Sequence, residues 1–333
     1  MSRSDLVTVA VDALGGDGGV AQNLEGCRLA LQGDSCLRIL VAGPEDACRT
    51  ALQRWPGTAD RLDTVAVDQS LPPDAGAAYA LRRGKGSSMA IALRSVADRA
   101  AAAVVSSGST AALMVLARQV LGMLPGIERP ALMAAVPTPH GSTWILDLGA
   151  NIQVDAERLC QFARLGHVAL SALNGCPPRT ALLNIGSEPG KGPDAIREAG
   201  RALSADAEID YHGFIEADKV FSGGVELVVC DGFAGNVLLK SAEGAVQLMF
   251  EEFKARFAGS LCGLLARPRL QRLHDSLHPS RHNGAPLLGV RGTVIKSHGG
   301  ASPEGLAHAI SLAALEARRG LSAAMEAQLW AED

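Results

Sequence analysis

The sequence predicts an α/β protein built on a mainly parallel sheet with helices over both faces. Three observations carry that expectation. Short runs of Val, Ile, Leu and Ala recur along the chain, near-continuous rather than alternating, as in strands buried on both sides. Stretches with a 3.6-residue period lie between many of them, such as Ser88 to Ala100 and Ala156 to Leu173. No linker, low-complexity tract or internal repeat interrupts the alternation, so one compact α/β unit over residues 1–333 is expected.

In chain order the expected strands are LVTVAVD, LRILVAG, LDTVAVD, AAVVSSG, ALMAAVPT, TWILDLGA, TALLNIG, ELVVCDG and GTVIKSHG. Each run is too short for a helix, and most are closed by glycine or a small polar residue. One region stands apart. From Glu243 to about Asn283 the chain reads as helical, then basic, with no strand signal.

The 333 residues, 47% hydrophobic, suffice for a full core. A net charge of −4 argues against general nucleic-acid binding, which needs a basic face. No apolar run approaches the length of a membrane span. The N-terminus, MSRSDLVTVAVD, enters a strand without the apolar core of a signal peptide. Seven cysteines, an odd number with no CxxC, read as reduced thiols of a cytoplasmic protein, with Cys230 in the core.

The function signal lies where the strands stop. Six ends mix glycine with small polar or charged residues. They are Asp12 with GGDGG, Ser106-Ser-Gly-Ser-Thr110, Asp147-Leu-Gly-Ala-Asn151, NIGSEPGKG from Asn184, DGFAGN from Asp231 and KSHGG from Lys296. A single βα turn needs glycine in any case. Six such ends on one sheet edge would form a crevice, where open parallel sheets bind ligands. Hydroxyls, backbone N–H groups and helix N-termini there suit an oxyanion or phosphate. Lys191 adds a point charge, and Arg82, Arg83 and Lys85 beside Ser87 and Ser88 make a second anion-friendly cluster.

Other chemistries fit less well. Gly16-Asp-Gly-Gly-Val-Ala21 matches a loose dinucleotide pattern, but it lies beyond the strand end, and no acid closes the second strand. GSEPGKG lacks the P-loop order, and GxSxG is absent. No His/Asp/Glu pair has helical metal-ligand spacing, so no metal and no cofactor is expected. His140, His167, His212 and His308 fall in loops or on helix faces; His298 alone stands at a polar strand end.

Taken together, VAVDALGGD, KGSSM, SSGSTAALM, DLGAN, LLNIGSEPGKG, DGFAGNVLLK and NGAPLLGVRGTVIKSHG resemble the PlsX family of phosphate acyltransferases over nearly the whole chain. The chain departs from that family's usual pattern at Val20 (proline), Gly86 (aspartate), Ser109 (asparagine) and Ala112 (glycine). The resemblance implies a three-layer α/β/α sandwich related to phosphotransacetylases and isocitrate-type dehydrogenases. It implies transfer of a fatty acyl group from acyl carrier protein (ACP) to inorganic phosphate, giving acyl phosphate for phospholipid synthesis. A homodimer and a downstream glycerol-3-phosphate acyltransferase are implied as partners. A phosphotransacetylase acting on acyl-CoA and an inactive lipid-binding protein on the same scaffold are the rival readings.

Phosphate as the nucleophile explains why no side-chain nucleophile stands out. Asp12, Gly15, Gly16, Asp17, Ser87, Ser88, Ser107, Ser109, Thr110, Asn151, Lys191, Asp231 and Lys296 are then the candidate phosphate and acyl-phosphate residues, the aspartates acting by positioning donors. Asn236, Lys240 and His298 are the candidates for the reacting carbonyl and the leaving thiol.

The segment 243–283 is expected to dock partners. Phe250, Phe253, Phe257, Leu261 and Leu264 share a helical stripe. Between Phe253 and Asn283, Lys254, Arg256, Arg267, Arg269, Arg272 and Arg281 face a single acid, Asp275, a local charge of +5. Such a patch suits acidic ACP and the anionic inner face of the cell membrane, through Phe253, Phe257, Leu261, Arg267, Arg269 and Arg272.

Overall fold

The computed structural model describes residues 6–55, 57–257 and 283–329. Among these residues eleven strands form one sheet: β1 (Val7–Asp12), β2 (Leu37–Gly43), β3 (Leu62–Ala66), β4 (Ala103–Ser106), β5 (Ala131–Thr138), β6 (Gly141–Leu146), β7 (Thr180–Leu183), β8 (Tyr211–Ile215), β9 (Leu227–Val229), β10 (Ala285–Leu288) and β11 (Thr293–Lys296). The described helices are α1 (Gly19–Gly33), α2 (Glu45–Arg54), α3 (Ala77–Arg83), α4 (Ser88–Ala97), α5 (Thr110–Leu121), α6 (Ala156–Asn174), α7 (Asp194–Ala205), α8 (Gly232–Phe257), α9 (Pro303–Arg318) and α10 (Leu321–Leu329). No helix among the described residues is long and apolar enough to cross a membrane.

The spatial order is β3-β2-β1-β4-β11-β10-β5-β6-β9-β7-β8. Seven of the ten neighbouring pairs are parallel, so the sheet is mainly parallel as expected. Every residue of β4 and β7, and all but Thr8 of β1, is buried. Helices over both faces bury such strands completely, which is why their sequences do not alternate. One face carries α3, α4, α5 and the start of α8, packed on Val104, Val294, Leu287 and Val228. On the other face α1, α2 and α9 cover Val9, Val11, Ile39 and Val105, and α6, α7 and α10 cover Met133, Leu146, Leu182 and Val229.

The sheet departs from the expected topology at its middle. β10 runs antiparallel to β11 and to β5, and β5 runs antiparallel to β6. Strands β1 to β4 and β11 therefore point one way, and β6, β7, β8 and β9 the other. This corrects the expectation that six polar strand ends share one edge. Asp12, Ser106 and Lys296 do end in one row, since Ser106 registers with both others. The ends at Asp147, Asn184 and Asp231 close strands of opposite direction. The physical reason is the two-residue link Pro139-His140, which cannot hold a crossover helix and so reverses the chain.

Two strands have no counterpart in the sequence reading. β8 is an edge strand that carries Gly213 at φ +86 and a register shift against β7, so its apolar pattern is broken. β10 has only four residues, one of them Pro286. The expected helix from Glu243 is part of α8, which begins eleven residues earlier, at Gly232.

Candidate functional site

Glycines bring three loops together at the end of β1. The Asp12 carboxylate, 2% exposed, accepts from Ser88 Oγ at 2.5 Å, Ser106 Oγ at 2.7 Å and Leu14 N–H at 3.3 Å. Burial pushes its pKa up, and these hydrogen bonds partly offset that. A Cβ on Gly15 would lie 2.6 Å from Asp12 Oδ2 and 2.7 Å from the Gly108 nitrogen. Gly16, at φ +85, passes Ser107 Cβ and the Gly299 carbonyl, where a Cβ would lie 2.8 Å from each. The glycine-rich turn thus packs backbone against the β4 and β11 loops. Asp17 N–H completes the join to Gly299 O at 2.8 Å.

Lys296, at the end of β11, reaches back into this row. Its ammonium donates to Ser107 O at 3.5 Å and to Ser297 O. Burial lowers its pKa to about 8, with Lys240 acting in the same direction and Asp12 and Asp17 against it. His298, two residues on, accepts the Gly300 N–H at Nδ1, 3.1 Å away, so a neutral ring carries its proton on Nε2. Burial, then Lys240, holds its pKa below the usual imidazole value.

The second wall is α8. Its first turn is capped by Asp231 Oδ1, which accepts from Ala234 N–H at 2.8 Å. Gly232 and Gly235 let the helix start sit on the loop after β6, where the Asp147 carboxylate accepts from Leu132, Ala150 and Asn151 N–H groups and from the Asn151 amide. Asp147 is fully buried, and desolvation raises its pKa. From that platform Asn236 and Lys240 project one turn apart, with Lys240 paired to Glu243 at 2.8 Å.

Between these walls lies a cavity of about 580 Å³, floored by β5. Leu132, Ala134, Val136, Leu148, Leu239 and Val246 make its lining largely apolar. Thr110, Asn236, Lys240, Lys296 and His298 also line it, five of the residues expected from sequence.

The remaining candidates are placed elsewhere. Ser87 is fully buried and caps α4; Ser88 is bound to Asp12. Ser107, 4% exposed, offers its carbonyl to Lys296. Ser109 caps α5 and donates to Ala75 O at 2.7 Å. Asn151 donates to Pro130 O and Asp147, both at 2.9 Å. Lys191 is exposed on the β7–α7 loop, whose Asn184 amide holds the Lys191 carbonyl at 3.1 Å, and it is not part of the cavity wall. Phe253 is partly buried on α8. The side chain of Phe257, and Leu261, Arg267, Arg269 and Arg272, lie outside the described residues.

Sequence reasoning missed Asn283 and Asp147 as organisers of the site. Asn283, 7% exposed, donates to Ser297 Oγ and Gly305 O, both at 2.8 Å, and accepts from His298 N–H at 2.8 Å. It joins the His298 loop to α9 and lines the cavity. A polar residue bounding a loop is no signal by itself; only the fold brings it beside His298.

Residues 7–323 match a family model described as fatty acid synthesis protein. A phosphate acyltransferase of Legionella pneumophila (strain Paris) is 41% identical over 321 residues, 95% of this chain and 94% of that protein. One from Nitrosococcus oceani is 43% identical over 329 residues, 97% and 96% of the two chains. Among solved structures, a phosphotransacetylase from Streptococcus pyogenes superposes with a TM-score of 0.63 at 18% identity, covering 94% of each chain. A 4-hydroxythreonine-4-phosphate dehydrogenase from Klebsiella pneumoniae superposes with a TM-score of 0.56 at 15% identity, covering 95% of this chain and 99% of that one. At such identities the likeness is one of fold.

Proposed function

The chain belongs to the phosphate acyltransferase family of fatty acid synthesis proteins, and on that premise we propose that it moves a fatty acyl group from acyl-ACP to inorganic phosphate. The observation that carries this reading is the pairing of an apolar cavity with two lysines, a histidine and an amide at its wall. An acyl chain takes the apolar bed, which stabilises it by about 0.8 kcal/mol per buried CH₂. A phosphate dianion takes the cations.

The chemistry needs little else. A phosphate oxygen attacks the thioester carbonyl, the C–O bond forms, and the C–S bond then breaks. Lys296 and Lys240 hold the phosphate, and the Asn236 amide faces the developing oxyanion. The Nε2–H of His298 donates to the departing thiolate. Asp12 binds no anion; it orients Ser88 and Ser106 and offsets the charge of Lys296 from behind. The product is acyl phosphate, an activated acid for a glycerol-3-phosphate acyltransferase in phospholipid synthesis.

The test is direct. The purified full chain, given palmitoyl-ACP and phosphate, is expected to form acyl phosphate, trapped as the hydroxamate. Equal or faster turnover of acetyl-CoA would replace this reading with a phosphotransacetylase, and no turnover of either with an inactive scaffold.

The segment 243–283 serves this reading as the docking arm for ACP and for an anionic membrane, with the chain acting as a homodimer at the cytoplasmic face. Its described part, the end of α8, carries Phe253, Lys254 and Arg256. Flotation with anionic vesicles is expected to recover wild type at low salt, less at physiological strength, and little of Phe253→Glu/Leu261→Glu. ACP affinity is expected to fall in Arg267→Glu/Arg269→Glu. Variants that match wild type would reduce the arm to ordinary surface.

A further inference from the structure

The cavity is bounded on one side by a strand edge that has no partner strand among the described residues. β5 continues to Thr138, whereas among the described residues its pairing with β10 covers Ala131 and Leu132. Beyond that point, among the described residues, β5 is paired on its β6 side alone. The register says which backbone groups are left over. Trp144 N–H bonds Glu226 O, and Cys230 N–H bonds Leu146 O, so the even residues of β6 face β9. The odd residues of β6 therefore face β5, and pair there with Ala134, Val136 and Thr138. Ala135 and Pro137 then turn their backbone groups the other way, and both line the cavity.

The edge offers one donor and two acceptors in a row: Ala135 N–H, Ala135 C=O and Pro137 C=O. Pro137 has no N–H to leave unmet, as befits an edge position. The small side chains of Ala134 and Ala135 leave room for close approach, and both are partly open to the cavity. Backbone polar groups at an apolar wall need partners. An alkyl chain laid along this edge would strip water from three of them and return nothing.

The geometry points to a subsite for the arm of the thioester carrier: the Ala135–Pro137 edge takes the amide groups of a pantetheine-type arm as an added strand. One amide pairs with Ala135 through both N–H and C=O, and the next donates to Pro137 C=O. This rests on the acyl-thioester reading above and adds to it how the carrier's arm is recognised. The arm lies extended along the far half of β5, its sulfur toward Lys296 and His298. The acyl chain takes the apolar face made by Leu132, Val136, Leu239 and Val246.

Binding rather than turnover tests it, which separates its failure from that of the reaction. Three thioethers of one octyl chain are titrated into the full-length protein: S-octyl pantetheine with two amides, S-octyl N-acetylcysteamine with one, and octyl ethyl sulfide with none. Affinity is expected to fall about 3- to 10-fold for each amide lost. Ala135→Pro removes only the cavity-facing donor, because that N–H has no place in the sheet ladder, and it should compress these ratios while leaving the affinity for octyl ethyl sulfide unchanged. Equal affinities for the three thioethers in the wild type overturn the subsite and leave the cavity to the acyl chain alone. The same holds if Ala135→Pro folds with wild-type stability and the ratios are untouched. A graded preference without turnover of palmitoyl-ACP upholds the subsite and overturns the transferase reading instead.

Discussion

Lys296→Met is expected to lower kcat for acyl phosphate formation about 100- to 1,000-fold, the usual effect of deleting one preorganised charge at a reacting centre. Lys296 is the cation that the fold invests in most. It stands in register with Ser106 and Asp12, donates to two carbonyls, and faces the cavity with His298 beside it. Methionine keeps the length and apolar stem of the side chain, so the lost quantity is the charge. The pH profile supplies a second readout. Burial lowers the Lys296 pKa to about 8, so its ammonium is present below that pH and lost above it. Activity should therefore fall as pH rises through about 8, although phosphate itself becomes more nucleophilic there. Lys296→Arg keeps a permanent charge and should move that alkaline fall upward, at some cost in rate from its different shape. A Lys296→Met enzyme with near-normal kcat, or an alkaline limb unchanged in Lys296→Arg, would remove Lys296 from the mechanism.

What the sequence disclosed depends on how local the cause was. The buried strands β1, β2 and β4 and the helices α4 and α6 follow from runs and periods of a few residues, and they lie where expected to within a few positions. The convergence of Asp12, Ser106 and Lys296 was visible too, because all three end parallel strands of one direction. What failed was the shared direction: Asp147, Asn184 and Asp231 end strands that run the other way, yet Leu148 and Asn236, from two of those ends, line the cavity together with Thr110, Lys296 and His298. Pro139-His140 already carried the correction, since two residues connect only antiparallel strands. Reading that turn first would have split the ends into two sets of opposite direction, although Asn236 and Lys296, one from each set, meet at the same cavity. The roles of Asp147 and Asn283 were not readable. Their partners, Leu132 and His298, lie 15 positions from each, and nothing local marks either as a hub. The GGDGG turn announces close backbone approach, and Gly15 and Gly16 pass the loops after β4 and β11 where a Cβ would not fit.

Gly235→Ala should prevent folding or leave a protein less stable by at least about 3 kcal/mol, the upper end of what an overpacked core costs. The added methyl carbon would stand 2.0 Å from the Asp147 carbonyl oxygen and 2.9 Å from Cys230 Sγ. The first of these is backbone, held by its place after β6 and by the Asp147 carboxylate's four donors. It cannot swing away as a flexible side chain would. The strain must be relieved by lifting the start of α8 off the loop, and α8 carries Asn236 and Lys240. Partial folding would thus separate the α8 wall of the cavity from Lys296 and His298, and activity should fall further than the folded fraction does. Gly244 on the same helix is the control. A Cβ there meets nothing within 4 Å, so Gly244→Ala should gain slightly in helix propensity and leave kcat unchanged. Thermal melts and soluble yield of the two variants, measured together, decide the matter. If Gly235→Ala melts with wild type and retains full turnover, the seating of α8 on the Asp147 loop does not set the cavity's second wall.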